Sequence, residues 1–454
     1  MNGYRVTYCA LAVAAMSYSI LPSLLAPLLP SLGAHFGIDH REASWLITAY
    51  LISAAVATPV GGRLGDLYGR PRVLRLVLIV LTAGGVLAVL APDFGWLLVA
   101  RFVQGLGGCI FPLAFGIIRD QFPAERIAGA IGLTSSIVAL GAGIGIVVVA
   151  PLEAALGYRA VLALPVALAA VATALAFAVI PSTSSIDPSG RVSWWSAALL
   201  SGALTTFLVV VTELPRWGWS WATLVVSVAC LVFTGAWVGT ERRSTSPLID
   251  VDLLTRPALV AVNVLAFLGG WYLFASLTLL PQFLQAAVSD GGLGKSIGVA
   301  SLLQSPQTIV LFLTGLAAGW LTRVVGGRRS MLVASAGLTA AAGLLVAFHG
   351  HDWNVLVPAV LSGVGVGALF AVVPNIVVWH VPQRSTGVAT GVNLTARNIG
   401  GAVGAQVTAA VWAVAYALGP EFAYPAAFGS LSFVGLLSLG AAFSLPRTRP
   451  IAEM

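Results

Sequence analysis

Two arginines stand where a membrane-buried chain seldom keeps charge. Arg101, in "VARFVQGLGG", and Arg397, in "TARNIGGAVG", each lie well inside a long apolar run, in a chain of which only 9% is charged. A guanidinium placed in the middle of a bilayer costs about 3 kcal/mol on insertion scales, and where it persists it usually has a task. The chemistry on offer is a cavity of positive potential that receives anionic or neutral amphipathic compounds. The alternative is that backbone carbonyls, Gln104 or Asn398 satisfy each arginine, which then only holds helices together. Uncharged polar groups on these and other apolar runs extend the same choice. Tyr18, Tyr50, Gln104, Ser135, Trp271, Gln304, Gln307, Asn375 and Asn393 could orient a ligand in an apolar pocket, or bond from helix to helix.

A third group of charges is denser. "GGRLGDLYGRPR", from Gly61 to Arg72, puts Arg63, Asp66, Arg70 and Arg72 between two long apolar runs and punctuates them with Gly62 and Gly69. Positive charge in a short loop sets membrane orientation, which accounts for the arginines and leaves Asp66 and the glycines unexplained. Glycine lets helices approach closely and lets a chain turn sharply. Elsewhere the glycines of "GLGGC" and "GAGIG" point to close helix contact. They lack the strand-to-helix setting and the lysine of a phosphate loop.

Other chemistries find little support. All sixteen acidic residues fall in loops or near span ends. A proton carrier at mid-membrane would be a carboxylate raised by desolvation, and Glu42, Glu213 and Asp66 are all near the ends of runs, as are His349, His351 and His380. No Ser/His/Asp, metal-ligand or paired-carboxylate set lies at one depth, so the chain is not read as an enzyme. Cys9, Cys109 and Cys230 fall inside apolar runs and are odd in number, which suggests neither a disulfide framework nor a metal cluster.

The elements that position these groups must be membrane helices. The 454 residues are 58% hydrophobic, more apolar surface than a soluble core of this size could hide. The net charge of +7 resides in arginines at breaks between apolar runs, so membrane orientation, not nucleic acid, is its reading. The first run, from about Val6 to Leu32, is too long for a cleavable signal and is taken as a retained span. A bilayer needs roughly 20 helical residues per crossing. On that basis spans are expected near 6–30, 43–64, 73–91, 95–118, 127–151, 158–180, 193–212, 219–240, 258–283, 297–321, 330–348, 353–379, 386–417 and 424–445. The polar stretches "PSTSSIDPSGR" and "ERRSTSPLIDVDLLTRP" bracket the seventh and eighth.

The fold expected is an all-α polytopic membrane protein of fourteen helices: a six-helix bundle over 1–180, a linker with two additional spans over 181–256, and a second six-helix bundle over 257–454. Placing both termini in the cytoplasm puts seventeen of the loop cations there, Arg5, Arg63, Arg119 and Arg126 among them, against four outside: Arg41, Arg159, Arg216 and Lys295. Trp45, Trp96, Trp194, Trp195 and Trp353 fall near span ends, as an aromatic belt requires. The chain also repeats: Phe111, Pro123, Gly132, Gly141 and Gly145 recur at constant offset as Phe370, Pro382, Gly391, Gly400 and Gly404. Gly62, Leu64 and Gly69 have a worn copy in Gly319, Leu321 and Gly326, with Arg323 at the acidic position. Duplicated halves of this kind usually enclose a midplane site that opens alternately to each side.

These residues resemble the major facilitator superfamily, in particular its fourteen-helix drug:proton antiporter branch. The motif G-x-L-x-D-x-x-G-R is met by Gly62, Leu64, Asp66, Gly69 and Arg70, and R-x-x-Q-G by Arg101, Gln104 and Gly105. Gly157, Tyr158 and Arg159 resemble the G-W-R that opens the sixth span, and "ARNIGGAVG" resembles the branch's R-Q-x-G-G-x-x-G. The departures are two. The antiporter motif of the fifth span survives only as Gly141 and Gly145, and the aspartate frequent in the first span is replaced by Leu21.

The resemblance implies a secondary active transporter of the inner (plasma) membrane that exports small amphipathic or drug-like molecules by alternating access, coupled to protons. It implies no cofactor beyond the proton gradient, a small-molecule substrate, a lipid surround, no nucleic-acid partner and a monomer. It further implies that Asp66 meets the start of the thirteenth span near Ser385 and Thr386, while Arg70 pairs with Asp120, so that Gly62, Asp66, Gly69, Arg70 and Asp120 form a cytoplasmic gate. Arg101, Gln104 and Arg397 are the candidates for transport and coupling. An importer or exchanger of a metabolite on the same fold, or a membrane scaffold or sensor, stays open beside this reading.

Overall fold

Proline and glycine decide where the apolar runs bend and stop. The computed structural model describes residues 3–38, 40–181, 193–218, 220–244, 247–250, 255–348 and 351–445. Every regular element among them is helical. Most of the first polar stretch, including Arg191, lies outside the described residues, as do Arg447 and Arg449.

In chain order the α-helices are α1 (Gly3–Ser19), α2 (Leu21–Phe36), α3 (His40–Tyr68), α4 (Arg70–Val89), α5 (Phe94–Gly105), α6 (Ile110–Gln121), α7 (Ala124–Leu156), α8 (Tyr158–Val179), α9 (Trp194–Trp217), α10 (Trp221–Arg243), α11 (Pro257–Gln285), α12 (Ile297–Leu316), α13 (Ala318–Val324), α14 (Gly327–Ala347), α15 (Trp353–His380), α16 (Thr386–Leu418) and α17 (Pro420–Phe443). By length and composition, thirteen stretches of described helix are fit to cross a membrane. A further helix, α7, runs 33 residues over the place of the expected fifth span, and the thirteen do not include it.

Three expected spans are interrupted. The first is two helices, because Pro22 lies at the start of α2; its missing N–H and its ring interrupt the ladder, and α1 stops at Ser19. The fourth passes through a 3₁₀ turn at Leu106–Cys109, where Gly107 and Gly108 are poor helix formers and Pro112 can give no hydrogen bond to the carbonyl four residues back. The tenth stops at Leu316 and resumes as α13.

The chain divides into two compact units. The first comprises Met1–Thr205, Cys230–Val251 and Val381–Val392. Its interior is aliphatic, with Ile20, Leu28, Leu32, Leu46, Leu97 and Val161 in one cluster joining α2, α3, α5 and α8. The second comprises Thr206–Ala229, Asp252–His380 and Asn393–Met454, with α14 packed on α15 and α17, and α12 on α15. α16 is shared between them, its first residues belonging to the first unit and the remainder to the second.

The internal repeat has a structural counterpart. Gly69 opens α4 at φ 93° and Gly326 opens α14 at φ 83°, a backbone that side chains rarely adopt. Pro123, before α7, and Pro382, before the 3₁₀ turn at Gln383–Ser385, hold nearly the same angles, φ −57° with ψ 142° and 150°.

Candidate functional site

The junction between α3 and α4 concentrates the charges of the first unit. Because Gly69 turns the chain, Asp66 in the last turn of α3 and Arg70 at the start of α4 face each other, and both are fully buried. Arg70 uses all five of its N–H donors. Nε and Nη2 donate to Asp66 Oδ1 at 3.0 and 2.7 Å, and Nη1 donates to Asp120 at 2.6 Å and to the Gly116 carbonyl at 3.2 Å. The second Nη2 hydrogen meets the Gln383 carbonyl at 2.6 Å.

The other side of the Asp66 carboxylate faces backbone. Oδ1 accepts from the Gly387 amide and Oδ2 from the Val388 amide, both at 3.2 Å. These are among the first amides of α16 and have no partner inside the helix. The positive end of the helix dipole adds attraction worth up to ~2 kcal/mol for a partly buried anion. Gly62 and Gly387 let the two backbones touch. A Cβ on Gly62 would fall on the Gly387 carbonyl, and one on Gly387 would come within 2.6 Å of the Gly62 oxygen.

The residues that meet here are thus Gly62, Asp66, Gly69, Arg70 and Asp120 with the segment Val381–Val388. Two participating side chains were not singled out from sequence. Gln383 donates its amide to Asp120 at 2.8 Å and lends its carbonyl to Arg70. Arg119 donates to Thr386 Oγ1 at 2.5 Å and to the Val381 carbonyl at 2.9 Å. A backbone carbonyl leaves no trace in residue type. The adjacency of Arg119 to Asp120 was the available signal, and the abundance of arginine in such loops concealed it.

A second group in the first unit surrounds Arg101, which is buried in α5. Nη1 donates to Gln104 Oε1 at 2.6 Å, and Nε reaches the Leu46 carbonyl at 3.4 Å. The guanidinium carbon lies 4.7 Å from the centre of the Tyr50 ring. Tyr50 stacks on Tyr18, centroids 5.5 Å apart, and Tyr18 meets Phe111 edge-on at 6.3 Å. Every described partner of Arg101 is neutral, and its Nη2 is buried with none. A desolvated cation–π contact contributes about 2 kcal/mol. It offsets part of the desolvation and leaves the charge uncancelled. Ser135, also buried, bonds to the Ile131 carbonyl of its own helix at 2.9 Å.

The remaining candidates lie in the second unit. Arg397 sits over the Phe370 ring at 4.4 Å. Asn393 donates to the Val262 carbonyl at 3.3 Å and to Asn263 Oδ1 at 3.0 Å. Asn375 is buried and donates to the Ala371 carbonyl at 2.8 Å. Trp271 meets Phe267 edge-on at 6.0 Å. Gln307 donates to Ser276 Oγ at 3.2 Å and lines, with Tyr272, Pro358, Ser362 and Phe428, a small cavity inside this unit. Gln304, one turn earlier on α12, is half-buried.

Acidic residues near span ends are more enclosed than their positions suggest. Besides Asp66, Glu213 and Glu241 are buried. Hydropathy locates a residue along a helix and says nothing of which way it faces. Glu241 accepts from Ser196 Oγ, from Trp237 Nε1 at 3.1 Å and from the amides of Leu248 and Ile249 at 2.9 and 3.4 Å, tying α9, α10 and the strand of chain that follows. Glu153 of α7 accepts from Ser31 Oγ of α2.

Comparison with known proteins gives this geometry a context. The chain is similar to a probable actinorhodin transporter of Streptomyces coelicolor, 28% identical over 83% of this chain and 67% of that one. It is similar to the cephamycin export protein CmcT of Amycolatopsis lactamdurans, 29% identical over 85% of this chain and 80% of the relative. Among solved structures it shares the fold of the proton:xylose symporter XylE, with a TM-score of 0.68 at 13% identity over 97% of this chain and 95% of the other. The model of the Major Facilitator Superfamily matches residues 7–405, and with that match spanning the buried Arg101, the half-buried Arg397, the Asp66 junction and most of the helices, the chain belongs to the Major Facilitator Superfamily.

Proposed function

We propose that this protein exports small amphipathic, drug-like molecules across the plasma membrane by alternating access, driven by proton antiport. In this reading fourteen helices cross the bilayer, both termini are cytoplasmic, the transporter works as a monomer, and the proton gradient is its energy source with no bound cofactor. The observation that carries the proposal is likeness along most of the chain to relatives named a probable actinorhodin transporter, a cephamycin export protein and a multidrug resistance protein. Supporting it is the Arg101 group, where a buried cation among aromatic rings suits anionic or neutral lipophilic compounds.

The Asp66 junction is, in this reading, a latch. The segment Val381–Val392 precedes and begins α16, whose later residues belong to the other unit. While Asp66 holds the amides of Gly387 and Val388, that segment stays with the first unit and the cytoplasmic side is closed. Opening inward requires the carboxylate to release them.

The test is a substrate screen in everted membrane vesicles with and without a pH gradient. Accumulation of a transported compound is expected to collapse when the gradient is dissipated at fixed membrane potential. Transport that persists unchanged replaces proton antiport with facilitation or another ion. Accumulation against the opposite polarity favours a metabolite importer or exchanger, a reading kept alive by Ile146, Val149 and Ala150 standing where the antiporter motif has proline and glycines.

A further inference from the structure

We propose that Arg119 is a positioning residue of the latch: it holds the connection between α15 and α16 so that the Gly387 and Val388 amides meet Asp66. The inference rests on the latch reading given above and adds to it a part that is not among the motif residues.

An arginine in the last turn of α6 needs no special explanation, since cytoplasmic loops collect positive charge. Its bonds are more particular than that role requires. Nη2 donates to the Val381 carbonyl at 2.9 Å, just past the C-terminus of α15, and Nη1 donates to Thr386 Oγ1 at 2.5 Å, at the first residue of α16. One rigid fork therefore grips both ends of the short connection that sets where α16 begins. A planar guanidinium suits this better than an ammonium, because its two donors are fixed relative to each other.

Thr386 transmits the grip. Its hydroxyl hydrogen is committed to the Gln383 carbonyl at 3.0 Å, so the same oxygen is free to accept from Arg119. Gln383 O is also the acceptor for Arg70 Nη2 at 2.6 Å. The bonds form one chain, from Arg119 through Thr386 and Gln383 O to Arg70 and Asp66, and back through the amides of Gly387 and Val388 to the helix that Thr386 opens. Two aspartates, 66 and 120, and two arginines, 70 and 119, balance in charge. A carboxylate that must engage two amides at once tolerates little displacement, because hydrogen bonds weaken steeply with distance and angle. Holding Thr386 in place is a direct way to keep those amides in line.

The experiment uses the full-length protein in lipid nanodiscs, with paired spin labels on the cytoplasmic ends of α3 and α16 reporting the ratio of open to closed populations. Arg119→Lys keeps the charge and loses the fork. Thr386→Val keeps the shape and loses the acceptor. Each is expected to raise the open-to-closed ratio about three- to tenfold, the scale of losing one or two partly exposed hydrogen bonds, with Thr386→Ser returning to within about twofold of the parent. In an Asp66→Asn background neither change should add a further shift, since positioning acts only through Asp66. Shifts of the same size with and without Asp66 would mean that Arg119 merely stabilises the loop, and overturn the proposal. If Asp66→Asn moves the distances and Arg119→Lys and Thr386→Val do not, the latch stands and Arg119 has no part in it. If Asp66→Asn itself moves nothing, the latch reading fails and takes this inference with it.

Discussion

Asp66 and Arg70 pair at 2.7 Å with neither side chain exposed, across a glycine that ends one helix and begins the next. Removing one partner of a buried pair costs about 3–5 kcal/mol, and Asp120 remains on Arg70 to soften the loss. Asp66→Asn also turns an amide donor toward Arg70 or toward the amides of α16. The expected result is a shift toward the inward-open state of up to about a hundredfold, with impaired transport and with expression and substrate binding largely retained. Spin-label distances between α3 and α16 check it. An unchanged distribution reduces the stretch to a topogenic loop.

A charge exchange between Arg70 and Asp120 is expected to recover part of what either single change loses, and not the whole. Asp120 is 10% exposed and makes few bonds, whereas Arg70 also serves Asp66 and two carbonyls. A carboxylate at position 70 would face Asp66 directly. Initial transport rates of the two single variants and the double variant measure this. A double variant no better than the worse single one refutes a pairing role for Asp120.

The neutral surroundings of Arg101 bear on what can be carried. At an effective dielectric constant of 20, two like charges 10 Å apart repel by about 1.7 kcal/mol, roughly tenfold or more in affinity per charge. Permanent dications are therefore expected to be poor substrates beside anionic or neutral lipophiles, and Arg101→Gln should narrow the gap. Competition assays in everted vesicles decide the matter. Robust export of a dicationic biocide that survives neutralisation of Glu42, Glu153 and Glu213 would sink the idea.

Glu241 supports a prediction about stability. Its carboxylate gathers donors from Ser196, Trp237, Leu248 and Ile249, and Glu241→Gln would set an amide hydrogen against at least one of them, a cost of about 1–3 kcal/mol. A lower thermal midpoint and faster proteolysis after Arg243 are expected, with little change in transport per folded molecule. Equal proteolysis rates would show that the carboxylate is not the tie.

What the sequence made legible follows from what hydropathy can carry. Runs of apolar residues fix helix existence and depth in the bilayer, so α4, α8 and α14 lie close to where they are expected, and Gly69 and Gly326 mark helix starts in both halves. The interruption at Pro22 and the 3₁₀ turn at Leu106–Cys109 were less visible, because a proline or glycine pair inside a span can bend a helix, break it or leave it nearly straight. The facing of side chains was hidden more deeply. Nothing in the spacing says that Glu241 turns inward, that Ser135 spends its hydroxyl on its own helix, or that Arg119 reaches carbonyl and hydroxyl beyond α15. Those facts depend on which helix lies alongside, and a single chain records that only where residue type and contact coincide, as glycine does at 62 and 387.

In the proposed latch, the touching backbones of Gly62 and Gly387 would give the closure a brittle character. Ion pairs stretch: their attraction fades only as the inverse of distance, and a gate built from them alone would open by degrees. Atoms in van der Waals contact lose much of their attraction within about 1 Å of separation, and the amide bonds to Asp66 lapse over a similar distance. The seam between α3 and α16 loses most of its cohesion over that short range, with only the weaker pull of the helix dipole on Asp66 reaching further. Its failure should resemble a fracture, abrupt in onset and concentrated at one point, so that a mechanically probed molecule would show two well-separated extensions where a purely electrostatic gate would show a continuum.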